Sequence, residues 1–264
     1  MLCTVLSCYF PETAWIGLDR NPRDQFGLLL HRGLLVANFV FAKRCPTYPI
    51  DEPICVTLMR STKKRRGVHL ALKTHNLGAL ISLAEHGERV LLTDCRDAAS
   101  PRQWTGQELE AQANAVANGL LARGLKRGDR VALLAENRAE YITAYFGIMR
   151  AGLVAVPVNH KFPPSTIAFV LQDGEIRFAF TDTERASLVP DELPQVNFDS
   201  EQFDQFAVNP DFETVEPAAQ EVAMFLYTSG STGKPKGVPL THSGHLWVVE
   251  HRLQPNVDYG KERI

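Results

Sequence analysis

Near the end of the chain, the stretch Thr228-Ser-Gly-Ser-Thr-Gly-Lys-Pro-Lys-Gly237 sets three glycines, four hydroxyls and two lysines side by side. Glycine admits backbone dihedrals that other residues avoid, so Gly230, Gly233 and Gly237 can bring amide N–H groups close to an anion. The hydroxyls of Thr228, Ser229, Ser231 and Thr232 add neutral donors, and Lys234 and Lys236 add positive charge. Such a set suits a polyphosphate. It is not a P-loop of the G-x-x-x-x-G-K-[ST] kind, because Lys234 is followed by Pro235, which has no backbone N–H to donate. No G-x-G-x-x-G follows an earlier strand, which removes the sequence argument for a dinucleotide. By composition alone the same ten residues read as a surface turn.

The elements around the loop decide whether it can be held. The apolar run 222–227 reads as a buried strand leading in, and residues 238–241 resume an extended course, giving strand, loop, strand. Upstream, Thr105 followed by Glu108 forms a capping box. The helix it opens carries Leu109, Ala113, Val116, Ala117, Leu120 and Leu121 at steps of three and four, with Gly124 as its left-handed stop. Arg130 to Leu134 reads as a strand, and Asn137 with Glu140 as the start of a second helix carrying Tyr141, Ile142, Tyr145, Phe146 and Met149, closed by Gly152. Residues 153–158 read as a strand, Pro164 to Asp173 as a helix followed by Gly174, and residues 177–181 as a further strand. Strands separated by single helices predict a parallel sheet covered by helices, an α/β class with right-handed crossovers. Residues 182–217 are acidic and proline-containing with weak periodicity, and are expected to form a long surface excursion.

The bulk properties exclude several classes. At 264 residues and 45% hydrophobic, the chain can bury a real core. A net charge of −2, from 28 basic and 30 acidic residues, gives no electrostatic reason for nucleic acid or an anionic membrane as partner. The five cysteines form no C-x-x-C pair, so neither a disulfide framework nor a metal site is expected. The first residues lack the positive lead of a secretory signal. The most apolar stretch, 27–42, is interrupted by His31, Arg32 and Asn38 and falls short of the roughly 20 residues of a membrane helix. No membrane span and a cytoplasmic location are therefore expected. Residues 1–73 show no sustained period and end in the basic run Lys63-Lys64-Arg65-Arg66, so they read as a weakly structured extension to the body formed by residues 74–264.

The string Tyr227-Thr-Ser-Gly-Ser-Thr-Gly-Lys-Pro-Lys-Gly-Val238 resembles the signature of the adenylate-forming superfamily: acyl-CoA synthetases, firefly luciferase and peptide-synthetase adenylation domains. The resemblance extends through residues 104–121, Gly128-Asp-Arg-Val-Ala-Leu-Leu134, Ala151-Gly-Leu-Val-Ala-Val-Pro-Val-Asn159 and Leu240-Thr-His242, and it covers about residue 74 onward. It implies the N-terminal portion of the large domain of the acyl-CoA synthetase/luciferase-like fold. It also implies the joining of a carboxylic acid, expected to be a fatty acid, to AMP with release of pyrophosphate, and passage of the acyl group to coenzyme A. Amino-acid adenylation by a peptide synthetase is the alternative within the family. Thr228, Ser229, Gly230, Ser231, Thr232, Gly233, Lys234, Lys236 and Gly237 would then hold the β- and γ-phosphates of ATP, with Mg2+ offsetting their charge. The family's aromatic-Gly-x-[ST]-Glu segment, ribose-binding aspartate, hinge and C-terminal lysine do not appear before Ile264. The expectation is a fragment of an acid-CoA ligase that does not complete adenylation alone, from either a truncated gene or a split enzyme completed by a chain supplying the rest. A noncatalytic remnant or interaction module is the other reading. His242 and His245 lie beyond the loop without an identifiable orienting partner and are assigned no catalytic role.

Overall fold

The frame is made of β1 (Val90–Asp94), β2 (Arg102–Thr105), β3 (Arg130–Leu134), β4 (Val154–Pro157), β5 (Ile176–Thr181), β6 (Gln195–Asn197), β7 (Val222–Thr228) and β8 (Lys236–Thr241), of which β3, β4, β5 and β7 are mainly apolar runs rich in β-branched and aromatic residues. The helices between and after them are α1 (Gly106–Ala122), α2 (Ala139–Arg150), α3 (Pro164–Asp173), α4 (Glu201–Phe206) and α5 (His242–Arg252). The computed structural model describes residues 74–80, 83–97, 99–206, 209–228 and 234–252. The extension of residues 1–73 and the loop positions Ser229, Gly230, Ser231, Thr232 and Gly233 lie outside the described residues, and with them the expectation about how that extension joins the body.

Strands β1 and β2 form a separate antiparallel pair, and the remaining six form one sheet in the order β6-β5-β3-β4-β7-β8. All its pairings are parallel except β7 with β8. Side chains alternate between two cores, as the period of a strand requires. Val131, Leu133, Ala155, Phe178, Phe180, Met224 and Leu226 join one with residues of α1 and α2. Ala132, Leu134, Val156, Ala179 and Tyr227 join the other with Ile167, Val170 and Leu171 of α3. Burial on both faces explains why these strands read as continuous apolar runs.

The capping box forms as expected: the Thr105 N–H donates to Glu108 Oε2 at 2.7 Å, and the Glu108 N–H donates to Thr105 Oγ1 at 3.2 Å. Gly124 takes φ 83° after α1, while Leu121 turns out to be exposed and leaves the expected buried face. Helix α2 is buried on every side. Its close approach to α1 needs Gly147, where a Cβ would collide with the Ala113 carbonyl oxygen and with Val116. Its start is corrected: the capping position is Arg138, in extended backbone without a side-chain cap, and Asn137 stands outside the helix. Ion pairs from Arg138 to Glu140 at 2.8 Å and to Asp199 at 2.5 Å hold that corner, the second of them a tertiary contact.

The surface excursion over residues 182–217 is also corrected. Strand β6 pairs in parallel with β5 at the sheet edge, and Phe198, Phe203 and Phe206 are buried beside Phe178 and Phe180. Phe180 stacks on Phe198 with centroids 5.4 Å apart, and edge-on contacts tie Phe203 and Phe206 to Phe180. Elements of three and six residues are too short to show a period, and that is why burial here escaped the sequence pattern.

Candidate functional site

Strand β7 runs parallel to β4, with Ala155 opposite Met224, so its last residues emerge at the carboxyl end of the parallel strands. Open α/β sheets bind ligands at that end. Strand β8 returns antiparallel, with Leu226 opposite Val238, Tyr227 opposite Gly237, and Thr228 opposite Lys236. The hairpin thus brings Thr228 and Lys236 together across the neck of the loop. Thr228 and Gly237 are half-buried, whereas Lys234 and Lys236 are exposed.

The loop ends are built from more than the motif. The Tyr227 hydroxyl donates to Asp173 Oδ2 on α3 at 2.7 Å. Burial first, and then the Asp173 carboxylate, push the Tyr227 phenol well above its ordinary pKa, so it stays a neutral donor. The Lys234 ammonium lies 5.6 Å from the ring centroid of Phe169, also on α3. Gly237 leaves room for the tyrosine: a Cβ there would lie 3.1 Å from Tyr227 Cζ and 3.2 Å from its oxygen. Close packing, and not backbone freedom toward an anion, is the demand the structure places on this glycine. Asp173 and Phe169 were not singled out from sequence, because their partners are distant in the chain.

Other polar groups gather at the same end. Asp182 Oδ2 accepts from the Glu136 N–H at 2.9 Å and pairs with Arg185 Nη1 at 2.5 Å. Arg185 Nη2 lies 3.5 Å from Glu136 Oε1. Half-buried His160 titrates below its ordinary value, through burial first and then the Arg185 charge. Each of Glu136, His160 and Asp182 follows a strand end by one to three residues, a position that the topology marks and that composition does not.

His242 and His245 lie past the opposite end of β8. His242 opens α5, is fully buried, and accepts the Leu77 N–H at Nδ1 at 2.9 Å. Its Nε2 is buried without a partner. Burial pulls its pKa down to about 4, against the opposing pull of Glu221. His245 is also lowered by burial. Among the described residues, no group of three or more His, Cys, Asp or Glu could hold a metal ion, and no helix is long and apolar enough to cross a membrane.

A mostly parallel sheet of this order, closed by an antiparallel hairpin strand and covered by helices, defines an α/β protein with its strand ends free for a ligand. The AMP-binding enzyme family matches residues 81–261, more than half of the chain, and the chain belongs to that family. It is 37% identical over 167 residues to the 3-hydroxybenzoate--CoA ligase of Aromatoleum sp. (strain CIB), covering 58% of this chain and 32% of that one. It is 34% identical over 149 residues to gramicidin S synthase 2 of Brevibacillus brevis, covering 56% of this chain and 3% of that one. The crystal structure of ATP-bound MatB from Rhodopseudomonas palustris matches with a TM-score of 0.53 and 30% identity over 64% of this chain and 35% of that one. The chain therefore spans about a third of the length of the ligase it matches, and its fold is that of an acyl-CoA synthetase N-terminal domain.

Proposed function

We propose that this chain supplies the ATP-phosphate cradle of an ATP-dependent acid-CoA ligase. The observation that carries the reading is the placement of the Tyr227–Val238 string on a hairpin at the carboxyl end of the sheet, with Thr228 and Lys236 opposed at its neck. The loop amides, the hydroxyls of Thr228, Ser229, Ser231 and Thr232, and Lys234 and Lys236 would hold the β- and γ-phosphates. Mg2+ would be ligated mainly by those phosphates and water, which fits a stretch, Thr228 to Gly237, whose polar side chains are hydroxyls and ammonium groups. In the complete reaction the carboxylate of an acid attacks the α-phosphorus and pyrophosphate leaves, and then the thiol of coenzyme A, losing its proton, attacks the acyl carbon and AMP leaves.

Of the acids, an aromatic one is favoured over the fatty acid expected from sequence, because a relative 37% identical is named for 3-hydroxybenzoate. The 34% identity to a gramicidin synthase keeps amino-acid adenylation as the second reading. Residues 74–264 would lie within the AMP-binding domain, in a cytoplasmic enzyme, with residues 1–73 as an extension that limited proteolysis trims first.

Calorimetric titration of the chain with MgATP tests the cradle. Binding that weakens at least about tenfold in Thr232→Val and Lys236→Met supports it, given the strength of charge-assisted contacts. No binding by the unaltered chain supports the noncatalytic reading instead. Pyrophosphate release is then followed with 3-hydroxybenzoate, a fatty acid and an amino acid, before and after adding a chain that carries the family's hinge and C-terminal lysine. Turnover only after the addition is the expected result.

A further inference from the structure

Phe169 and Asp173 stand four residues apart on α3 and so share one face of that helix. Each meets a different end of the phosphate loop. Asp173 accepts the Tyr227 hydroxyl at 2.7 Å, where β7 delivers the chain into the loop. Phe169 presents its ring 5.6 Å from the Lys234 ammonium, where the chain comes back. The tyrosine ring between them is seated by two glycines. A Cβ at Gly174 would lie 3.3 Å from the Tyr227 oxygen, and one at Gly237, its cross-strand partner, would lie 3.1 Å from Tyr227 Cζ. Arg130 secures the same corner by donating to the Gly174 carbonyl at 3.0 Å and to Glu175 at 2.7 Å.

This arrangement matters because of where the hairpin sits. Among the described residues strand β8 ends the strand order, so its ladder there restrains it from one side only. Donors to a phosphate act within about 2.7–3.1 Å, and an error near 1 Å in placement forfeits much of their effect. A glycine-rich segment on an edge hairpin therefore needs a second restraint from a rigid element.

We propose that α3 is the strut of the phosphate loop, with Tyr227, Asp173 and Phe169 as positioning residues that fix its two ends. The inference rests on the phosphate-cradle reading, and its test separates the two. Tyr227→Phe removes only the hydroxyl and keeps the ring in its glycine seat. Asp173 is exposed, so water can solvate the carboxylate left behind and the fold survives.

The full chain and its variants are titrated with MgATP and followed by amide hydrogen exchange over residues 236–240. Tyr227→Phe and Asp173→Ala should each weaken MgATP binding about fivefold, the worth of one hydrogen bond, and the double variant should be no worse than either alone. Asp173→Asn keeps an acceptor and should bind like the unaltered chain. Phe169→Leu should weaken binding about twofold. Exchange at residues 236–240 should rise in Tyr227→Phe while β3 and β4 stay protected and the melting temperature barely moves. Affinities unchanged in Tyr227→Phe and Asp173→Ala, or losses that simply add, would overturn the strut and leave the cradle standing. If the unaltered chain binds no MgATP the cradle falls, and unchanged exchange in Tyr227→Phe would then overturn the strut as well.

Discussion

His242 is neutral because its surroundings admit no charge. It accepts a backbone N–H at Nδ1, keeps its proton on a buried Nε2, and titrates near pH 4 where a free histidine titrates near 6.5. The unfolded chain therefore binds a proton there that the folded chain refuses, and stability rises with pH between those two values. The contribution is fully present above about pH 6.5 and is lost as the pH falls toward 4, at most about 3 kcal/mol. His245 and His160 are lowered as well and add in the same direction. Glu221 and Asp199, also lowered, lose their contributions only below the ordinary carboxylate range. Urea midpoints should thus fall from pH 7.5 to pH 5, and His242→Asn, whose Oδ1 stands where Nδ1 accepts the Leu77 N–H, should shallow that slope by about one proton. An unchanged slope would mean that His242 is not the buried neutral group described here.

The elements next to the loop owe their places to local chemistry and to close contact in turn. The Thr105–Glu108 capping box satisfies donors at the start of α1, so Thr105→Ala should lower stability by about 1 kcal/mol in urea titration, and Thr105→Ser should restore most of it. The contact of α1 with α2 is a steric matter. Gly147→Val would drive a side chain into the Ala113 carbonyl and Val116, and should cost at least about 2 kcal/mol by the same measurement. A chain tolerating that substitution would have to hold the two helices farther apart than they are.

Taken as one body, the protein closes its sheet edge with aromatic rings. Phe178, Phe180, Phe198, Phe203 and Phe206 weld β5, β6 and α4 together, with Gly119 of α1 making room for Phe206. Phe203→Ala should lower stability by about 3–5 kcal/mol and strip hydrogen-exchange protection first from α4 and β6. The segment 74–80 is bound in by polar clamps. Asn76 Nδ2 donates to the Met149 and Val215 carbonyls, each at 2.8 Å, and buried Arg150 reaches the Gly78 carbonyl at 2.9 Å. At the other edge, Val238 and Trp247 are 40% and 59% exposed.

Arg130–Leu134 and Pro164–Asp173 could be read with their observed bounds because strand-length apolar runs, a proline at the first helical turn and a glycine stop act over a few residues. The Tyr227–Val238 string and its setting between two strands were legible for the same reason. The aromatic edge at residues 198–206, the start of α2 at Arg138 and the seat of Tyr227 on Asp173 were not. Each joins residues far apart in the chain, and Tyr227 and Asp173 are separated by 54 positions. Local preference sets which elements form, whereas such pairs come into being only when parallel crossovers bring one element's face against another's.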